Sequence, residues 1–524
     1  MRIKKWIYLL WSISTLLLNS AFGQIGEEAF LYQSGVKKIS NKNYKSALND
    51  CNKAILINAN DNRFYRCKGD AEQALGKYQE AYLDYTKALE LNNRDTLSYY
   101  GRGSIKALEK NYGEAIKDFS NAILLDSISN GNLYFDRGDC YRILGSPNDA
   151  QRDIERCLRI NPHIISANYL LGDIFFTKKM FETAIKYFDI YIKHGENLLY
   201  DAYYYKGRSY LYLKDKNLAF ADSSIVAFKK ALIKKEPNSR LCMYLAEALS
   251  LIGDSIESRK NFNESVRLDS NNADAYFQWA IYELSLKHLQ KSEALLLKAE
   301  SKSLKPSPWV FYYLGKCLLE KGDTTKGLER VNKSIDLDSN IYIAYKLRVK
   351  YIKHNLKNKS SLLANYSQMV RLTSNKKELA FIYYTTSFLK SMSAEKEGAF
   401  NDINRVIELM PNEPVPYLTK ALYLLTFSEL KKNKAMRDID KAISLNDKSW
   451  QAYYLKAKIE IERKRKRACP LLQKVNQLGG NVDPILYDYI CGNKKLNSKT
   501  VLPLIKVNLT FNPLQEKDYP PLIH

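Results

Sequence analysis

The sequence predicts an all-α fold, a right-handed superhelical solenoid of about thirteen stacked helix-turn-helix units. Three observations predict it. Glycines fall at Gly35, Gly69, Gly103, Gly138, Gly172 and Gly207, at intervals of 34, 34, 35, 34 and 35 residues. Twelve residues after each of the first five sits an alanine (Ala47, Ala81, Ala115, Ala150, Ala184), and seven further on come Ala54, Ala88, Ala122, Cys157 and Tyr191. Three residues before those last positions stand Cys51, Tyr85, Phe119, Ile154 and Phe188, and polar turn residues such as Asn92-Asn93, Asn161-Pro162 and Pro237-Asn238 close the units. Antiparallel helices approach closely only where side chains are small, so glycine and alanine at fixed offsets mark the crossings. The large residues at helical spacing fill the grooves beside them.

A 34-residue period with this pattern resembles the tetratricopeptide repeat. Tyr65, Tyr99, Tyr134, Tyr203 and Tyr276 stand where that family usually has Trp. Register is tight over residues 28–200 and loosens afterwards. Residues 200–238 carry an insertion near 219–226, the unit from 239 replaces glycine with Ala246, Gly315 recovers it, and 342–379 is the least regular unit. The resemblance implies a concave face built from the first helices. On it, the fifth position of successive units includes Tyr100, Phe135, Tyr169, Tyr204, Tyr312, Lys346 and Tyr384. The last unit, Ala468-Cys469 … Tyr489-Ile490-Cys491, resembles the ending of exported bacterial proteins of this family, where an Ala-Cys is followed 22 residues on by a final Cys. That likeness implies a Cys469–Cys491 disulfide, with Pro470 departing from the usual acidic residue. The other six cysteines read as small core residues, although Cys140 with Cys157, or Cys51 with Cys67, lie on helices that could meet.

The first 23 residues differ from the rest. Arg2, Lys4 and Lys5 precede an apolar run from Trp6 to Leu18, and small residues end at Gly23. This pattern predicts a secretory signal peptide cleaved before Gln24, since the run is short for a membrane span. The chain therefore divides into a signal peptide (1–23), regular units (24–238), divergent units (239–491) and an extended or disordered tail (492–524). That tail contains Pro503, Pro513, Pro520 and Pro521.

Nothing in the sequence points to catalysis. The five histidines stand apart, without metal-ligand spacing, and no phosphate-binding or nucleophile motif occurs. No enzyme activity, cofactor, metal or small-molecule substrate is expected. With 81 basic and 57 acidic residues the formal charge is +24, or +21 once Arg2, Lys4 and Lys5 are removed, and this balance favours acidic partners or surfaces. From Ile341 to Lys377 no acid occurs among nine basic residues, and Lys346, Lys350 and Lys353 recur at helical spacing. The expected role is a protein-binding scaffold of the cell envelope, in the periplasm, at the outer-membrane periphery or secreted. Its groove would hold partner segments. The alternative is binding of a polyanion (polysaccharide, lipid headgroup or nucleic acid) through the basic stretch.

Overall fold

The computed structural model describes residues 26–126, 128, 130–194, 197–353, 359–393, 395–427, 431–463 and 465–492. The expected signal peptide and the tail from 493 lie outside these residues, as do His354, Lys357 and His524. Every regular element among the described residues is a helix, and the helices come in consecutive pairs. The first pairs are α1 (Glu27–Ser40) with α2 (Tyr44–Ile57), α3 (Asn62–Ala74) with α4 (Tyr78–Leu91), α5 (Thr96–Leu108) with α6 (Tyr112–Leu125), and α7 (Gly131–Ile143) with α8 (Pro147–Ile160). Next come α9 (Ser166–Thr177) with α10 (Phe181–His194), α11 (Leu199–Tyr212) with α12 (Ala219–Lys234), and α13 (Ser239–Leu251) with α14 (Ser255–Leu268). Then follow α15 (Ala273–Ser285) with α16 (Leu289–Lys302), α17 (Pro308–Lys321) with α18 (Thr324–Leu337), and α19 (Tyr342–Ile352) with α20 (Lys359–Leu372). The last are α21 (Lys376–Met392) with α22 (Lys396–Leu409), α23 (Pro414–Phe427) with α24 (Lys432–Leu445), α25 (Trp450–Arg463) with α26 (Arg465–Gln477), and a short final α27 (Pro484–Cys491). The chain forms two compact units, one up to Trp279 and one from Ala280, and the residue 238/239 boundary lies inside the first.

Each pair closes on the small residues that set the period. A Cβ built on Gly172 would lie 2.6 Å from the Phe188 ring, and one on Gly207 2.6 Å from Phe228. Both rings are fully buried, so the glycines are required by close approach. The first four pairs also hold a column of buried aspartates, Asp50, Asp84, Asp118 and Asp153, one on each of their second helices. Each accepts from the first helix of its own pair. Lys38 and Ser34 donate to Asp50, Lys68 reaches Asp84 at 2.9 Å, and Arg102 and Arg137 fork onto Asp118 and Asp153 at 2.7–2.9 Å. A buried carboxylate needs such a partner, and a planar guanidinium supplies two parallel hydrogen bonds.

The turn inside most pairs needs one residue in the left-handed region. Gly76, Gly145, Gly253 and Gly322 supply it without strain, whereas Lys42, Lys110, Lys179 and Lys287 adopt φ near +60°. The following N–H reaches back to the first helix, as Asn111 does to the Lys106 carbonyl at 2.8 Å.

Two disulfides join neighbouring helices. Cys469 on α26 pairs with Cys491 on α27, and Cys51 on α2 pairs with Cys67 on α3. The second corrects the reading of Cys51 and Cys67 as unpaired core residues. Both sulfurs sit where a side chain on Gly35 would be, at 2.8 and 2.9 Å from its ideal Cβ, so the missing side chain makes room for the bridge. Cys140, Cys157, Cys242 and Cys317 are buried thiols. Pro470 lies inside α26 rather than at its start, so the Lys466 carbonyl lacks the usual helical donor.

Candidate partner-binding groove

From α1 to α13 each first helix touches the next first helix as well as its own partner. Second helices do not pack on one another as extensively, so within this unit the first helices form the inner, more closely spaced row. The residues of the fifth repeat position lie along that row and bridge adjacent units. Arg66 donates to the Tyr32 hydroxyl at 2.9 Å and to Asp95 at 3.0 Å. Tyr100 donates to Asp136 at 2.7 Å. Phe135 and Tyr169 pack half-buried on the core, Tyr169 against Phe188 and Tyr191 at 6.0 and 5.4 Å between ring centroids.

Two aromatics expected on this face do not offer it a ring. Tyr312 is 8% exposed and Tyr384 2%, both within core clusters. Tyr384 turns inward because Thr419 of the next pair lies 3.1 Å from its hydroxyl, and Tyr312 packs against Trp309 and Tyr313.

The basic stretch is also less bare than its composition suggests. Lys346 pairs with Glu378 at 3.2 Å, the residue immediately beyond the acid-free run. Arg348 turns to the flanking helices, donating to Asn365 at 2.7 Å and Asn332 at 2.9 Å. Lys350 is exposed, and Lys353 caps the C-terminus of α19.

Carboxylates recur beside the cations on the inner row of the first unit. The residue after the register glycine is Asp70, Asp139 and Asp173 in three of the repeats. Tyr85 donates to Asp70 at 2.7 Å, and burial pushes this carboxyl up to about 6 despite the pull of Tyr85 and Arg66. Arg142 bridges Asp139 and Asp173, each at 2.8 Å. Burial also raises Asp136, against the Tyr100 hydrogen bond, and Asp173, against Arg142. At the equivalent place after Gly207 stands Arg208. Rings of Tyr244, Phe176, Tyr204, Tyr205 and Tyr212 surround its guanidinium at 4.8, 4.9, 5.6, 5.8 and 5.9 Å. Arg208 and these acids were missed because the sequence reading followed the fifth repeat position. The residue following each register glycine carried the signal.

The model of the family described as tetratricopeptide repeat matches residues 68–95 and 131–164. A comparison with curated proteins finds no match. Among solved structures, one similar chain is YrrB, titled a TPR protein with an unusual peptide-binding site. It is 21% identical, with 40% of this chain and 96% of that chain covered and a TM-score of 0.32. A second is the C-terminal part of a TPR repeat-containing protein from Cytophaga hutchinsonii, 18% identical over 46% and 95% of the two chains, TM-score 0.37. A third is a tetratricopeptide repeat protein from Parabacteroides merdae, 14% identical over 49% and 98%, TM-score 0.34. Residues 68–95 and 131–164 thus match tetratricopeptide repeats, and the other described helices share their paired build.

Proposed function

We propose that the protein is a non-catalytic scaffold of the cell envelope that holds segments of protein partners along the first helices of its N-terminal unit. The observation that carries this reading is the continuity of the inner row. From α1 to α13 it presents half-buried rings and fixed charges at matching repeat positions, on a rigid frame where such a surface meets a partner with little loss of conformational freedom. The short apolar N-terminal run supports export, as do the two disulfides, which persist in oxidising compartments.

The test is affinity capture from cell-envelope extracts with the mature chain. Asp139→Arg with Asp173→Arg reverses charge on the inner row, while Leu124→Asp changes the 83%-exposed Leu124 on a second helix. Partners captured by the parent should be lost with the first variant and kept with the second. Equal capture by both would remove the groove from the account. N-terminal sequencing of the natively expressed protein should begin at Gln24, and an intact Met1 would remove export.

A further inference from the structure

In the first three pairs the buried aspartate meets side chains from two places on the first helix, one residue before the register glycine and three after it. The earlier place holds Ser34, Lys68 and Arg102, and the later one Lys38, Glu72 and Lys106. Lys38 pairs with Asp50, and Lys106 lies 2.9 Å from Asp118 beside Arg102. The second pair reverses the charge at the later place, setting Glu72 (4% exposed) against Asp84 (7%). One cation serves both carboxyls. The Lys68 ammonium lies 3.8 Å from Glu72 and 2.9 Å from Asp84 Oδ2, yet it donates to Oδ1, at 3.2 Å. Glu72 Oε2 and Asp84 Oδ2 are left buried without a donor. Carboxylate oxygens only accept, so two that meet away from water repel unless a proton lies between them.

The surrounding groups do not supply the missing positive charge. Around Glu72 stand Lys68 on its own helix and Glu80, Asp84 and Tyr85 on α4, while Tyr65 acts on Lys68. In the adjoining pairs Lys38 is taken up by Asp50, and Arg102 and Lys106 by Asp118. Arg66, on the inner row, goes to Asp95. Burial first, and the Asp84 contact next, push the Glu72 carboxyl up to about 8.

We propose that Glu72 and Asp84 share one proton, and that this proton is a pH-sensitive latch holding α4 against α3 and the second pair against the third. Its release to solvent leaves two carboxylates facing each other with one ammonium between them, and repulsion parts the helices. The effect passes along the array through Tyr85. Its ring lies 2.9 Å from an ideal Cβ on Gly69 of α3 and 2.4 Å from one on Gly101 of α5, and its hydroxyl donates to Asp70 at 2.7 Å. The Cys51–Cys67 disulfide keeps α3 on α2, so the opening falls after α3 and interrupts the inner row between Arg66 and Tyr100. A carboxyl that keeps its proton in the folded chain contributes fully below the unfolded value, and the contribution is lost as pH rises through the folded one.

Native-state hydrogen exchange on the full chain, parent and Glu72→Gln, tests the latch between about pH 6 and pH 8. Both chains retain Asp70, so the ratio of their opening constants isolates Glu72. For α3 and α4 that ratio, parent over variant, should rise by up to about tenfold per pH unit. Glu72→Lys recreates the arrangement of Lys106 and should show the same flat response as Glu72→Gln. Circular dichroism checks that each variant is folded. A second measurement needs no variant: the infrared carbonyl band of protonated carboxyls in the parent should be present at about pH 7 and smaller by one group at about pH 9.5. A ratio constant within twofold across the interval, or no such band at about pH 7, would overturn the proposal.

Discussion

Asp70 shows how one side chain carries structure and charge at once. It accepts from Tyr85 at 2.7 Å, and burial pushes its carboxyl up to about 6 from an ordinary 3.8. A carboxyl raised in the folded state contributes most below the unfolded value and loses that contribution as pH rises through the folded one. The chain should therefore lose on the order of 3 kcal/mol from this group between about pH 4 and pH 6. Asp70→Asn keeps an acceptor for Tyr85 and removes the titration. Its stability relative to the parent, from urea melts, should improve across that interval; a difference flat with pH would contradict the assignment. At this scale the sequence was half legible. Glycine and alanine announce themselves by period, because packing tolerates nothing larger there. Glu378 did not, because a count of charges along 341–377 stops one residue short of the acid that folds back on Lys346. Tyr384 did not either, because the same repeat position points into the core when a hydroxyl partner such as Thr419 lies on the first helix of the next pair.

Helices and turns make their own demands. Gly172 lies inside α9 with the Phe188 ring 2.6 Å from where its Cβ would stand. Gly172→Ala gains helix propensity yet overpacks a fully buried contact, for a net loss of about 1–2 kcal/mol. Native-state hydrogen exchange should show the loss concentrated in α9 and α10. Lys110 is the opposite case, a lysine at φ +63° between α5 and α6. Lys110→Gly should stabilise the chain by up to about 1 kcal/mol, seen as a higher urea midpoint, because only glycine takes that conformation without strain. Helix positions were readable from the sequence because pairs repeat; the lysine turns were not, since lysine rarely signals a left-handed residue. The buried aspartate column recurs at the same interval as the glycines, but an Asp on an amphipathic helix reads as surface until its partner on the preceding helix is known.

Across the whole molecule, units in a repeat array lean only on their neighbours, so the ends are the weakest places. Both disulfides lie there, Cys51–Cys67 joining the first two pairs and Cys469–Cys491 tying α27 to α26. For loops of 16 and 22 residues the chain-entropy account gives roughly 3 kcal/mol each. Reduction should raise hydrogen exchange in α1–α4 and α25–α27 while α7–α10 remain protected. Uniform loss of protection would show that the array unfolds as one body. The aspartate column carries a consequence for how such a chain lengthens or shortens. Arg102 and Asp118 belong to one pair, as do Arg137 and Asp153, so duplicating or excising a complete pair adds or removes both charges together. The interior stays neutral through the event. Links on the inner row are different, for Tyr100 reaches Asp136 of the following pair, and excising α5 and α6 would strip that carboxylate of its donor. Length is thus cheap to change while the links along the inner row are not, and a lineage can acquire repeats faster than it can rebuild that row.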